Sequence, residues 1–179
     1  MVRTRVGYAG GSTEDPTYHN LGDHSETIQI DYDPNQISYE DLLNVFWSSH
    51  NPSTPSWSRQ YASVIFYHDE EQRQLAEASK EQYQAQCGCQ VYTEIVPVAT
   101  FYLAEDYHQK YFLRQRPDFL EEYMAIYPDL VDFVNSTAVA RVNGYLAGYG
   151  TSDNLSVELL DLGLSTRARA ELLDIVNGR

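Results

Sequence analysis

Apolar and polar residues change register several times along the chain, and each change predicts an element. Val2–Gly7 reads as a strand, broken by Gly10-Gly11 and followed by a polar loop through Asp23. Glu26–Tyr32 alternates cleanly, with Ile28, Ile30 and Tyr32 on one face and Thr27, Gln29 and Asp31 on the other. Asp33-Pro34-Asn35 is a turn signal. A helix then starts at Ser38, whose hydroxyl caps the free amides, with Asp41 in the first turn against the dipole. Its stripe is Tyr39, Leu42, Leu43 and Phe46. The prolines Pro52 and Pro55 make residues 51–58 a loop. Ala62–Tyr67, apolar on both faces, reads as an interior strand. A charged helix over Asp69–Ala85 and a strand over Val91–Val96 follow, and Ala104–Arg114 reads as a helix with Tyr107 and Tyr111 on one face.

From Pro117 onward the pattern is helical only. Thr137–Tyr149 places Val139, Val142, Leu146 and Tyr149 on one stripe, with Gly144 and Gly148 as places of close approach. Ser165 caps a last helix that buries Ala168, Leu172, Ile175 and Val176. Strands early and helices late predict an α+β fold. The tail is expected to pack on the α/β body, with too few apolar residues for a core of its own.

Composition narrows the function classes. The chain has 179 residues, and 12 Lys+Arg against 26 Asp+Glu give a formal charge of −14. Such a surface repels phosphate backbones, so neither nucleic acid nor an anionic membrane is an expected partner. No apolar run approaches the ~18–20 residues of a membrane span, and the start has no signal-peptide core. The expected location is cytoplasmic. Cys87 and Cys89 are the only cysteines, so stability must come from packing.

Four groups of residues are candidates for chemistry. Glu26 shares parity with Ile28, Ile30 and Tyr32, so its carboxyl points toward the face they bury. Partial desolvation there would raise its pKa and keep a proton available near neutrality. The alternative is that Glu26, at the strand's first position, bends into solvent. Tyrosines lie near the loops (Tyr8, Tyr18, Tyr61, Tyr67, Tyr102), where a phenol offers a ring and one donor; amphipathic core lining is the other reading. Cys87-Gly88-Cys89 is either a reducible redox pair or two unpaired loop thiols, the latter favoured by the rarity of cytosolic disulfides. The five histidines, His24 and His108 among them, have no metal-ligand spacing and read as structural, and no metal site is expected.

Several strings, taken in order, resemble one family. They are Arg5-Val6-Gly7-Tyr8-Ala9-Gly10-Gly11, Pro16-Thr17-Tyr18 and Gly22-Asp23-His24-Ser25-Glu26. Ile37–Leu43 with Phe46-Trp47, then Gln60-Tyr61, then Phe101–Gln109 continue the series. Together they resemble the A-type peptide methionine sulfoxide reductases over about residues 3–114. The resemblance implies a ferredoxin-like α/β sandwich over residues 1–116, lacking its first strand and helix, with a helical extension over 117–179.

It also implies thiol-dependent reduction of methionine-S-sulfoxide, free or in proteins, as repair of oxidised proteins. In such enzymes a cysteine attacks the sulfoxide sulfur while an acid protonates the departing oxygen, leaving methionine and a sulfenic acid. A resolving thiol and then a thioredoxin-like reductant regenerate the enzyme, and no cofactor is bound. On this resemblance Glu26 matches the proton donor, and Tyr18 and Tyr61 match the phenols that hold the sulfoxide oxygen. The family's Asp before Gln60-Tyr61 has no counterpart in Ser56-Trp57-Ser58-Arg59.

The family nucleophile lies in a Gly-Cys-Phe-Trp-Gly motif where the first strand meets the first helix, ahead of the strand with which this sequence opens. The resemblance places that first strand inside the sheet, between later strands, so a gap flanked by backbone donors is expected. As written, the chain is expected to show little or no reductase activity. Three readings follow: an incomplete form of a working reductase, a non-catalytic sulfoxide-binding or protein-interaction module, or a nucleophile relocated to Cys87 or Cys89.

Overall fold

A computed structural model describes residues 2–178. The chain divides into two compact units: Val6–Ala104, and the residues on either side of that span. In chain order the elements are β1 (Arg3–Ala9), β2 (Ser25–Asp31), α1 (Tyr39–Ser49), β3 (Val64–Tyr67), α2 (Glu70–Cys87), β4 (Glu94–Pro97) and β5 (Phe101–Leu103). Helices α3 (Tyr111–Arg114), α4 (Pro117–Ile126), α5 (Leu130–Asn135), α6 (Thr137–Leu146), α7 (Ser152–Glu158) and α8 (Thr166–Val176) complete them. The architecture is α+β, as the strand-then-helix pattern predicts.

The Val6–Ala104 unit holds two small sheets. One has the order β2-β1-β5, with β5 antiparallel to β1. Gly7 faces Leu103 in that ladder, and a Cβ there would meet the Tyr102 carbonyl oxygen at 2.2 Å, so only glycine allows the approach. The other sheet pairs β3 with β4 in parallel, joined by α2 as the crossover that parallel strands require.

Local signals set the helices. Ser38 and Asp41 form a reciprocal capping box on α1. Asp69 caps α2 by accepting from the Gln72 amide, and left-handed Gly88 ends it. The core of this unit is small: Leu43 and Trp47 pack with Ile65, Ala76 and Val91. The Trp47 indole N–H donates to Ser79 Oγ at 2.9 Å, and its ring stacks on Tyr83.

The two sheets do not join. Each of β2 and β3 is an outer strand, and among the described residues no ladder links them. Between them runs a trough of about 470 Å³. Consecutive residues of β2 (26–30) and of β3 (64–66) line it, and consecutive strand residues point to opposite faces. What both strands turn toward the trough is therefore an edge, with Leu42, Leu43 and Phe46 of α1 supplying an apolar wall. The expected gap beside β2 and β3 is present. It also corrects the reading of Ala62–Tyr67 as an interior strand, since β3 is paired only with β4 among the described residues. The α1 stripe is turned as well: Leu43 and Trp47 are its buried residues, while Tyr39, Leu42 and Phe46 are only half-buried and line the trough beside Leu43.

The other unit is helical, and its core is the largest in the chain. Phe119, Tyr123, Phe133, Val139, Leu155 and Leu172 are all fully buried within one cluster. The tail thus has a core of its own, contrary to expectation, because short helices α4–α8 each contribute one to four buried side chains. Within α6 the stripe is Val139, Ala140, Val142 and Tyr145, whereas Tyr149 is exposed beyond the helix end. Gly144 and Gly148 make no close approach, since nothing lies within 4 Å of a Cβ at either. Ser165 caps α8 as expected, through the Ala168 amide.

The helix expected over Ala104–Arg114 is replaced by a 3-10 turn at Asp106–His108 and the short α3. The break is at Lys110, a non-glycine residue at φ 54°. Its Nζ donates to the Thr4 carbonyl at 2.6 Å and to Thr4 Oγ1 at 3.0 Å. Those bonds tie the start of β1 to α3 at the cost of an interrupted helix.

Candidate functional site

One end of the trough is built by a 3-10 turn, Arg59–Tyr61, laid beside the start of β2. Buried Ser25 donates its hydroxyl proton to the Arg59 carbonyl at 2.8 Å, which fixes the turn against the strand. The next residue on β2 is Glu26. Gln60 donates from Nε2 to Glu26 Oε1 at 2.7 Å, and Tyr61 follows Gln60 directly. Glu26 and Tyr61 both line the trough.

Tyr18 meets this group from the loop after β1. Partial desolvation, with Tyr18 and Glu26 beside it and a hydrogen bond to the Tyr18 phenol, pushes the Tyr61 phenol above its ordinary pKa. Sequence reasoning names Glu26, Tyr18 and Tyr61 from separate segments, and the structure brings these three together.

The loop that carries Tyr18 is held by its own side chains. The Asp23 carboxylate accepts from the Ser12 amide at 2.8 Å and the Thr13 amide at 3.2 Å, and these bonds hold its pKa well below the usual carboxylate range. Buried His24 accepts the Gly11 amide proton at Nδ1 (3.1 Å) and therefore carries its own proton on Nε2, toward the Thr13 carbonyl at 2.8 Å. His24 is structural, as expected. Tyr18 itself sits inside the tight Thr17–Asn20 bridge.

Glu26 departs from expectation in its surroundings. Its carboxyl is exposed rather than partly desolvated, and Ile28 on the same parity is 56% exposed. Glu26 and Ile28 line the trough together with Thr27 and Gln29 of the opposite parity, as an edge strand does. The parity argument therefore fails here: on β2 it is Ser25 and Thr27, on the opposite parity, that are the less exposed.

Gln60 and Trp57 are the residues that sequence reasoning misses as parts of this site. Gln60 stands in the quoted Gln60-Tyr61 pair, yet only geometry shows that its amide holds Glu26. Trp57 is 83% exposed, and its ring lies 5.2 Å from that of Tyr61. Nothing in the sequence pattern marks Trp57, and its exposure becomes visible only in the structure.

The cysteines stand elsewhere. Cys87 and Cys89 are joined in a disulfide, with Cα atoms 5.1 Å apart across left-handed Gly88. This corrects the expectation of two unpaired thiols. Cys87 is the last residue of α2. Neither cysteine lines the trough. Among the described residues no group of three or more His, Cys, Asp or Glu could hold a metal, and no helix is long and apolar enough to cross a membrane.

Comparison with known proteins follows the same residues. Residues 1–140 match the family described as peptide methionine sulfoxide reductase. A peptide methionine sulfoxide reductase of Drosophila melanogaster is 44% identical over 171 residues, covering 94% of this chain and 68% of that protein. Peptide methionine sulfoxide reductase A5 of Oryza sativa subsp. japonica is 42% identical, over 82% of this chain and 59% of the relative. The fold is similar to methionine sulfoxide reductase A of Corynebacterium diphtheriae, with a TM-score of 0.58 and 33% identity over 65% of this chain and 64% of that one. The chain thus spans roughly three-fifths to two-thirds of the length of these relatives.

Proposed function

Because the chain belongs to the peptide methionine sulfoxide reductase family, we propose that Tyr18, Tyr61 and Glu26 bind and protonate the oxygen of a methionine-S-sulfoxide. We further propose that the attacking thiol arrives on an additional strand seated between β2 and β3. The trough carries this reading. It has two strand edges for walls and an apolar helix face behind, and it runs to Glu26 and Tyr61. An extended segment entering it would complete one sheet across β2 and β3 and end beside the acid. The occupant is a segment bearing the family's Gly-Cys-Phe-Trp-Gly motif.

The chemistry then balances within named groups. The thiolate sulfur bonds to the sulfoxide sulfur, and the S–O oxygen takes the proton of Glu26, with the two phenols donating to it as negative charge develops. The hydroxyl then passes to the enzyme sulfur: the substrate S–O bond breaks as the enzyme S–O bond forms. The S–S bond breaks with its electron pair returning to the substrate sulfur, so methionine leaves reduced and the enzyme thiol is oxidised to a sulfenic acid. A second thiol condenses with it, releasing water and forming a disulfide, which a thioredoxin-like dithiol reduces. Gln60 positions the Glu26 carboxyl through its amide N–H. No bound cofactor is required in this reading, the location is cytoplasmic, and residues 117–179 act as a scaffold.

Appending a Gly-Cys-Phe-Trp-Gly-bearing strand segment ahead of residue 1 and assaying with methionine-S-sulfoxide and dithiothreitol tests the proposal. Turnover by the extended protein, lost on Glu26→Gln, is expected. A folded extended protein without turnover would overturn it.

A second reading is favoured by the cysteines. Both are tied to each other and lie outside the trough lining, so the chain by itself is a sulfoxide-binding module without a nucleophile. In that reading Cys87 and Cys89 serve only as an exchangeable redox pair.

A further inference from the structure

We propose that Trp57 is a specificity residue that selects methionine sulfoxide within a polypeptide over the free amino acid. This inference rests on the sulfoxide-binding reading above and names a substrate feature that reading leaves open. Three observations carry it.

First, Trp57 is 83% exposed, the ring lies 5.2 Å from Tyr61, and the two planes are tilted by 46°. Exposing an indole forgoes the burial of a large apolar surface, so the position is costly unless the ring meets something outside the chain. Second, the loop that carries the ring is pinned. Ser56 Oγ donates to the Ser58 carbonyl at 2.7 Å, bridging the residues on either side of Trp57. The 3-10 turn that follows is fixed to β2 through Ser25. An aromatic side chain with two rotatable bonds on a pinned loop loses little entropy on contact.

Third, Trp57 does not line the trough, whereas Tyr61 and Glu26 do. The indole therefore extends the site from Tyr61 outward, away from the space where the sulfur would react. A ligand no larger than methionine sulfoxide, held by its oxygen between Tyr18 and Tyr61, would end within the phenols. A residue next to the sulfoxide in a peptide would continue onto the indole face. Apolar and aromatic neighbours suit that ledge best, by ring stacking and by contact with the ring face.

Binding of two ligands tests this directly. Free methionine-S-sulfoxide and the blocked tripeptide acetyl-Phe-Met(S-sulfoxide)-Phe-amide would each be titrated calorimetrically into the protein and into Trp57→Ala and Trp57→Phe. The tripeptide is expected to bind Trp57→Ala about two- to tenfold more weakly than the unaltered protein, the range of one aromatic contact. Affinity for the free amino acid should stay the same, and Trp57→Phe should restore most of the peptide affinity. Because Trp47 is buried and Trp57 is not, the emission difference between the protein and Trp57→Phe reports the indole. It should shift to the blue with the tripeptide and not with the free amino acid. If both ligands bind and Trp57→Ala changes neither, or both equally, the Trp57 inference falls and the sulfoxide-binding reading stands. If neither ligand binds the unaltered protein, both fall together.

Discussion

The two units of this chain distribute their apolar side chains in opposite ways. In the helical unit, Phe119, Phe133, Leu155 and Leu172 are fully enclosed in one cluster, and the Tyr123 hydroxyl donates internally to the Leu162 carbonyl at 2.7 Å. In the Val6–Ala104 unit the enclosed core is small, while Ile28, Trp57, Tyr61 and Tyr18 face outward around the trough. The first arrangement builds a large enclosed core, with Val157 and Leu160 left exposed outside it. The second holds back surface that only another chain segment or a ligand can cover. The contrast assigns stability to one region and binding to the other, and each side of it can be broken separately.

The largest expected effect is on the stability side. Phe133→Ala, in the fully buried cluster of the helical unit, should cost about 3–5 kcal/mol in urea unfolding. Ile28→Ala, at the open trough edge, should cost less than about 1 kcal/mol. Equal losses at both positions would erase the distinction.

Next is a pH effect seated in the helical unit. Burial, with the Arg5 charge nearby, lowers Lys110 from 10.5 to about 8. Between those values the unfolded chain binds more protons than the folded one, so stability rises with pH through that window. The gain between pH 8 and 10 should be about 2 kcal/mol, and Lys110→Met should flatten it. Tyr39 and Tyr145 work the other way at higher pH. Burial pushes each up to about 12, so their contribution is present below pH 10 and is lost above it. A stability curve that falls from pH 8 to 10 would contradict the Lys110 assignment.

The smallest effect concerns the cysteines. Cys87→Ser opens a bridge that closes a very short loop and should cost only about 1–2 kcal/mol. Affinity for the sulfoxide tripeptide should be untouched, because neither cysteine lines the trough. Loss of that binding would place the pair at the site after all.

Sequence pattern reaches local and face-level features and stops at long-range ones. The Ser38–Asp41 capping box, the β2 strand and the Ser165 cap are readable because each depends on residues within a few positions of one another. Parity singles out Glu26 and loop position singles out Tyr18 and Tyr61, but only the family resemblance joins the three as one site, since nothing local links residues so far apart in sequence. Glu26 is exposed where parity predicts desolvation, because alternation along a strand does not say which of its sides the rest of the chain covers. The helix expected at 104–114 fails at Lys110, whose left-handed backbone is tied to a partner more than a hundred residues away. The core of the helical unit was underestimated because short helices, each with a weak stripe, bury their side chains jointly. Gln60 and Trp57 carried no periodic signal at all, and only the turn at Arg59–Tyr61 brings them to the site.

The central claim is that the trough between β2 and β3 receives a thiol-bearing strand beside Glu26. The most direct measurement is turnover of methionine-S-sulfoxide with dithiothreitol by the chain as it stands and by the form extended with a Gly-Cys-Phe-Trp-Gly segment. Turnover confined to the extended form, and abolished there by Glu26→Gln, is the expected result. Robust turnover by the unextended chain, lost on Cys87→Ser or Cys89→Ser, would contradict the claim and place the nucleophile at the end of α2.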